Sequence, residues 1–313
     1  MNVPMSILIS NLVGLFLLMA VGALIVRFRI LPVTMTTYLS HLLMTVMAPA
    51  LIFQSLMREF SVEFLRDSAV ILAAGMAAYL LLIGITLLLA RAFHVPKNRR
   101  GLWAVCTTFP NNGFMGFPII QAILGDEALA LAVIMGIPFN VLLYTVGVRV
   151  LLADRPAEAG APKISLKKIL LTPVNVATAL GLAVFLFQIP VPEIISAPIG
   201  YLASVATPLS MLIIGMELTK CSVSKVVRDR DVLAGTFTKL VAAPIICLLL
   251  LKVIPLTNSL MTPVILLTMA MPTAAIASAL AKQYEVDAEL AVEVTFMTGL
   301  LCIITMPLIS LLL

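Results

Sequence analysis

Residues 109–120 read FPNNGFMGFPII and stand in the middle of an apolar stretch long enough to cross a membrane. Pro110 disfavours helical geometry at Phe109 and leaves the carbonyl one turn back without its donor. Gly113 and Gly116 loosen the backbone further. In hydrocarbon an unsatisfied backbone group is costly, so such a break persists only where it lines a cavity inside protein. A lone proline would read as a packing kink. A Pro-Asn-Asn-Gly cluster, answered later by a second interruption at Met271-Pro272, reads as a site near the bilayer midplane built on discontinuous helices.

The rest of the chain supplies the membrane. Hydrophobic residues make up 62% and charged residues 11%, against roughly 25% charged in a soluble domain. Mean hydropathy is +1.15. There is no room for a soluble domain, and the fold class is all-α integral membrane. A span needs about 20 mostly apolar residues, and ten stretches qualify: 5–26, 36–57, 68–90, 101–124, 127–150, 168–189, 197–219, 231–253, 260–282 and 289–312. The polar connection at 153–167, which includes DRPAEAGAPKISLK, divides them five and five, into a first repeat (1–152) and a second (168–313). The N-terminal MNVPMSILIS has no basic region and no clear cleavage site, so the first span is expected to be retained.

Charge sets the orientation. With the N-terminus outside, the inside connections hold sixteen Lys and Arg and the outside ones only Arg58, Arg66 and Lys252. That asymmetry places both termini outside and the 153–167 linker in the cytoplasm. The net charge of +5 therefore reports topology and not a nucleic-acid partner. The cysteines Cys106, Cys221, Cys247 and Cys302 form no C-x-x-C pair, and His41 and His94 have no metal-ligand company. No metal and no cofactor are expected.

Landmarks recur at offsets that agree within three residues. Ala48-Pro49 and Thr207-Pro208 are 159 positions apart, and Phe109-Pro110 and Met271-Pro272 are 162 apart. LGDEALALAV follows the first break and EVDAELAVEV the second. Five spans per half is odd, so the halves enter the membrane from opposite sides, as in inverted-repeat carriers. The fourth and ninth helices, broken at Pro110 and Pro272, are then expected to meet and cross. Each second half-helix begins with unpaired N–H groups at the positive end of its dipole, a setting that favours an anion such as a carboxylate.

The expected substrate-binding residues are Asn111, Asn112 and Gly113 at the first break and Thr273 and Ala274 at the second. Asn140, which follows Pro138, and Lys239, roughly 12 Å deep in the eighth span, complete the set. Lys239 could be a substrate counter-ion, a coupling group or half of an ion pair, with Glu217 as one partner. Asn11, Gln54, Ser210 and Ser278 are candidates for cavity lining; for several of these the alternative is satisfying backbone freed by a nearby proline. The alanines 274, 275, 277 and 279 also suit close helix packing.

PNNGFMGFP, with Pro110, Asn111, Met115, Gly116 and Pro118, resembles the fourth-helix motif of the auxin efflux carrier superfamily. MPTAAIASALAKQYEVDAELAVEVTFMTGLLCIITMPL, with Pro272, Ala281-Lys282, Tyr284 and Pro307, resembles its ninth and tenth helices. The resemblance implies ten helices, a scaffold of helices 1, 2, 6 and 7, and a transport domain of helices 3–5 and 8–10 that moves in elevator fashion. The fold is similar to that of bile acid sodium symporters. In plant members the asparagine matching Asn111 contacts the auxin carboxylate. This chain departs from them in its short linker and in carrying Thr273 where the plant motif has an amide. It is most similar to short, bacterial-type members, associated with malonate, malate or other small organic anions. Such carriers often form homodimers.

The expected function is a secondary carrier of a small carboxylate in the plasma membrane, of the bacterial inner-membrane type, by alternating access. Na⁺ or H⁺ coupling is open. The alternatives are a Na⁺-coupled symporter of a larger amphipathic acid and a transport-dead sensor. A membrane-embedded enzyme would need paired intramembrane Asp, a Ser–His pair or H-E-x-x-H, and the spans contain none.

Overall fold

A computed structural model describes residues 5–153, 171–220 and 226–311, with side chains from Ser10 onward. From residue 154 the linker expected at 153–167 lies outside the described residues, as does Cys221. The described chain is helical: α1 (Met5–Arg27), α2 (Met35–Leu56), α3 (Val62–Ala92), α4 (Lys97–Thr108), α5 (Asn112–Leu152), α6 (Pro173–Phe187), α7 (Glu193–Glu217), α8 (Arg230–Leu251), α9 (Met261–Ala270), α10 (Ile276–Gln283) and α11 (Ala288–Ser310). Seven of these, α1, α2, α3, α5, α7, α8 and α11, are long and apolar enough to cross a membrane. The protein is an all-α, multi-spanning integral membrane protein.

Several expected spans change shape. The third starts earlier, because Ser61 caps α3 by accepting from the Phe64 amide and adds two turns. The stretch expected at 168–189 is helical over 173–187 among the described residues. The stretches expected at 101–124 and 127–150 stay distinct within α5, because the backbone leaves helical geometry at Gly125, with φ +84° and ψ −175°. That conformation is open to glycine and strained for other residues, so α5 has two arms, 112–124 and 126–152.

Prolines shape the helices in a consistent way. Widened π-helical turns occur at Leu43–Met47, Asn112–Gly116, Leu143–Gly147 and Thr238–Ala242. Three of them lie just before Ala48-Pro49, Phe117-Pro118 and Ala243-Pro244. A helical proline offers no N–H and its ring presses on the carbonyl four residues back. Widening the turn relieves that contact, and the preceding residue's amide reaches back five: Ala48 to Leu43, Phe117 to Asn112 and Ala243 to Thr238. The fourth ends at Gly147, whose missing side chain leaves room for Phe109: a Cβ there would sit 3.0 Å from its ring.

Helix α1 packs along α7, and α2 against α6 and α7. A Cβ on Gly22 would overlap the Leu212 carbonyl, and one on Gly215 the Met19 carbonyl, so α1 and α7 touch backbone to backbone. On the other side α3 packs on α4 and α5, and α8 on α9 and α11. Arg99, in the first turn of α4, ties the ends of this second group. Its guanidinium donates to Asp287 (2.7 Å), Asp229 (3.0 Å) and Asp231 (3.1 Å). Asp229 and Asp287 also cap α8 and α11. Partial burial opposes the charge on Arg99, but the surrounding carboxylates outweigh it and hold its pKa above the ordinary value. Asp67 of α3 is buried and accepts from Thr257 and Asn258, pinning the loop before α9.

Candidate functional site

The two interruptions lie against each other. Pro110 and Thr273 form an antiparallel bridge. The Asn111 amide donates to the Pro272 carbonyl at 2.8 Å, and the Ala274 amide donates to the Phe109 carbonyl at 3.0 Å. Each break thus satisfies groups that the other exposes, as backbone within a membrane protein requires. Four half-helix ends converge here. α4 and α9 arrive with their carbonyls; the first arm of α5 and α10 depart with their amides. The amides of Gly113, Ala275 and Ile276 make no hydrogen bond among the described residues.

Pro110 cannot donate to the Cys106 carbonyl. The Thr273 hydroxyl does so instead, at 2.8 Å. The Thr273 amide donates to the Thr298 hydroxyl at 3.1 Å, and the side chain is 0% exposed. Both donors of Thr273 are therefore engaged within the protein. The sequence points to it as a carboxylate ligand, whereas here it repairs the helix broken by Pro110.

The first break keeps its side chains for other uses. Asn111 accepts from the Phe114 amide at 3.4 Å through its side-chain oxygen. Asn112 donates to the Tyr79 hydroxyl at 3.4 Å, and its own side-chain oxygen is buried without a partner. Behind it Tyr79 stacks on Phe109, and Phe139 meets both rings edge-on.

Two cavities flank the crossing, and Asn111 and Ala275 line both. One, of about 270 Å³, is walled by apolar and aromatic groups including Met44, Phe114, Phe117, Phe139 and Tyr144, with Asn112, Gly113, Asn140 and Ala274 on its surface. Asn140 donates to the Asn175 side chain and the Gly136 carbonyl. The other, of about 350 Å³, runs from Asn111, Pro272 and Thr273 between α7, α10 and α11 past Ser278 to Glu217, Lys220 and Lys282. Ala275, Ser278 and Lys282 line it at helical spacing. The Ser278 hydroxyl donates back to the Ala275 carbonyl.

The remaining candidates lie elsewhere. Lys239 lines neither cavity. Its ammonium donates to the Met269 carbonyl at 3.2 Å and the Thr108 carbonyl at 3.4 Å. Glu217 is not its partner; it pairs with Lys220 at 2.8 Å. Asn11 donates to the Ala122 carbonyl, holding α1 to α5. Ser210 is buried and bonds back to the Thr207 carbonyl of its own helix. Gln54 lines a separate hollow with Arg58, Gln121, Asp126 and Glu127. Sequence inspection missed Tyr79 and Thr298; each is a hydroxyl in an apolar span, a signal that marks many residues with no special role.

The sequence profile described as "Membrane transport protein" matches residues 7–310. A protein of Methanothermobacter thermautotrophicus described as an uncharacterized transporter is 26% identical over 272 residues, covering 87% of each chain. Another, of Methanocaldococcus jannaschii, is 26% identical over 311 residues, 95% of this chain and 94% of its own. A match that runs over nearly the whole length, breaks included, makes this chain a transporter and not an enzyme: it belongs to the membrane transport protein family.

Proposed function

We propose that the protein is a secondary carrier of a small organic anion, working by alternating access, with the substrate carboxylate received at the crossing of the two interrupted helices. The observation that carries this is Asn111, which lines both cavities at a point where two half-helices begin. Its amide group donates to a carboxylate without burying a net charge. The unbonded amides of Gly113, Ala275 and Ile276 lie in the same first turns, where partial positive charge gathers. Asn112, Ala274 and Asn140 shape the apolar side, and Thr273 positions the crossing without touching substrate.

In this proposal the chain spans the membrane ten times as a 5+5 inverted repeat, with α1, α2, α6 and α7 as scaffold and the other helices as the moving element. The matched proline offsets and the two packing groups support it. Lys and Arg asymmetry supports both termini outside and a cytoplasmic linker. A cysteine placed in the linker is expected to be labelled from the cytoplasm alone; labelling from outside would reverse the topology. Both named relatives are archaeal, so the membrane is proposed as a prokaryotic plasma membrane without further distinction.

The apolar cavity favours a second reading, an amphipathic acid whose body sits among Phe114, Phe117 and Phe139. Thermal unfolding of the purified protein against mono- and dicarboxylates of increasing apolar size separates the two. A ligand at 100 times its Kd adds about 2.7 kcal/mol. Stabilisation by small dicarboxylates alone supports the first reading, and stabilisation that grows with apolar size supports the second. Silence across the whole series removes the carboxylate.

A further inference from the structure

We propose that Lys239 is a built-in cation for the crossing, its ammonium neutralising the carbonyl ends of α4 and α9 in place of a bound Na⁺. The side chain is 0% exposed. Its ammonium reaches the Thr108 carbonyl, in the last residue of α4, and the Met269 carbonyl, next to the last residue of α9. The last four carbonyls of a helix have no donor within it. Each helix end carries roughly half a negative charge, so two ends against one ammonium come close to neutrality. Among the described residues no carboxylate lies within ion-pairing distance of Lys239; Glu217 is taken by Lys220, and Asp229, Asp231 and Asp287 by Arg99.

The other face of the crossing is built differently. Tyr79 of α3 stands 160 positions before Lys239, close to the offset between the paired prolines. It offers a neutral hydroxyl to Asn112 at the amide ends. Among the described residues the crossing thus carries an ammonium at its carbonyl ends and a neutral hydroxyl beside its amide ends. The carbonyls released at the breaks, which would otherwise suit Na⁺, are held by Lys239 in whatever position the moving element takes. The consequence is a carrier whose crossing is indifferent to Na⁺.

The experiment uses no anion, so it stands apart from the carboxylate proposal. Thermal unfolding of the purified protein is compared in NaCl and choline chloride at equal ionic strength, for the wild type, Lys239→Met and Lys239→Ala. The wild type is expected to unfold at the same temperature in both salts. Lys239→Met, similar in length but uncharged, and Lys239→Ala are both expected to fall by on the order of 10 °C. Butylammonium should return at least half of the loss in Lys239→Ala, and butanol should not. The proposal is overturned by Na⁺ stabilisation of the wild type beyond roughly 3 °C, by wild-type stability in Lys239→Met, or by butanol matching butylammonium. Should neither variant be recovered, the wild-type comparison of the two salts decides alone.

Discussion

The two interruptions occupy equivalent places at the crossing and do different work. At residues 109–112 the backbone break leaves side chains facing the cavities, Asn111 into both and Asn112 into one. At residues 271–275 the polar side chain turns inward: Thr273 serves Cys106 and is itself held by Thr298. The second break contributes shape and backbone, with alanines at 274 and 275 leaving room beside the half-helix ends. One break offers side chains to the cavities, and the other repairs backbone. The distribution follows from which carbonyl lacks a donor. Cys106 is left without its helical partner by Pro110, and the nearest hydroxyl belongs to the opposite break.

That division can be broken by substitution. The largest effect is expected from Asn111→Ala. Removing a hydrogen bond to a charged group removes about 1.5–3 kcal/mol of binding, a loss of roughly 10- to 100-fold in carboxylate affinity by thermal-shift titration. The ligand-free protein should lose only about 1 kcal/mol, since Asn111 also caps the Phe114 amide. Thr273→Val is expected to do the reverse. It keeps the shape and leaves the Cys106 carbonyl without its donor, lowering stability by about 1–3 kcal/mol, while affinity in the folded protein stays within about threefold of wild type. If Thr273→Val were to match Asn111→Ala in affinity while unfolding at the wild-type temperature, the two breaks would be equal partners in binding. The smallest effect belongs to Tyr79→Phe. It removes a 3.4 Å contact to Asn112 and leaves the stack on Phe109, so stability should change by less than about 1 kcal/mol. A larger change, measured by denaturation, would make Tyr79 a third partner.

The same contrast explains what could be read from the sequence. Proline and glycine act on their own backbone, so the breaks at Pro110 and Pro272 are visible in a single chain, and an apolar run declares a membrane helix by composition. Side-chain roles at the crossing are set by partners far away in sequence. Thr273 reads as a ligand because a hydroxyl near a helix start suits a carboxylate, and nothing local reveals that it answers to Cys106. Lys239 reads as a substrate group because a lysine in hydrocarbon demands a partner, and its partners are carbonyls, which every residue has. Gly125 lies between two expected spans, and the structure leaves helical geometry there, at φ +84° and ψ −175°.

The bond from Thr273 to the Cys106 carbonyl also has a consequence in time. Its two residues are 167 positions apart. A ribosome adding about 5–20 residues per second takes roughly 8–33 seconds to cover that distance. Throughout that interval α4 has been made and its final partner has not. The first half of the chain must then be sheltered by water, by the insertion machinery or by its own fluctuating helix until the ninth helix arrives. The birth of the crossing, more than its mature strength, is the step at which a slowed or truncated synthesis would leave this protein unfinished.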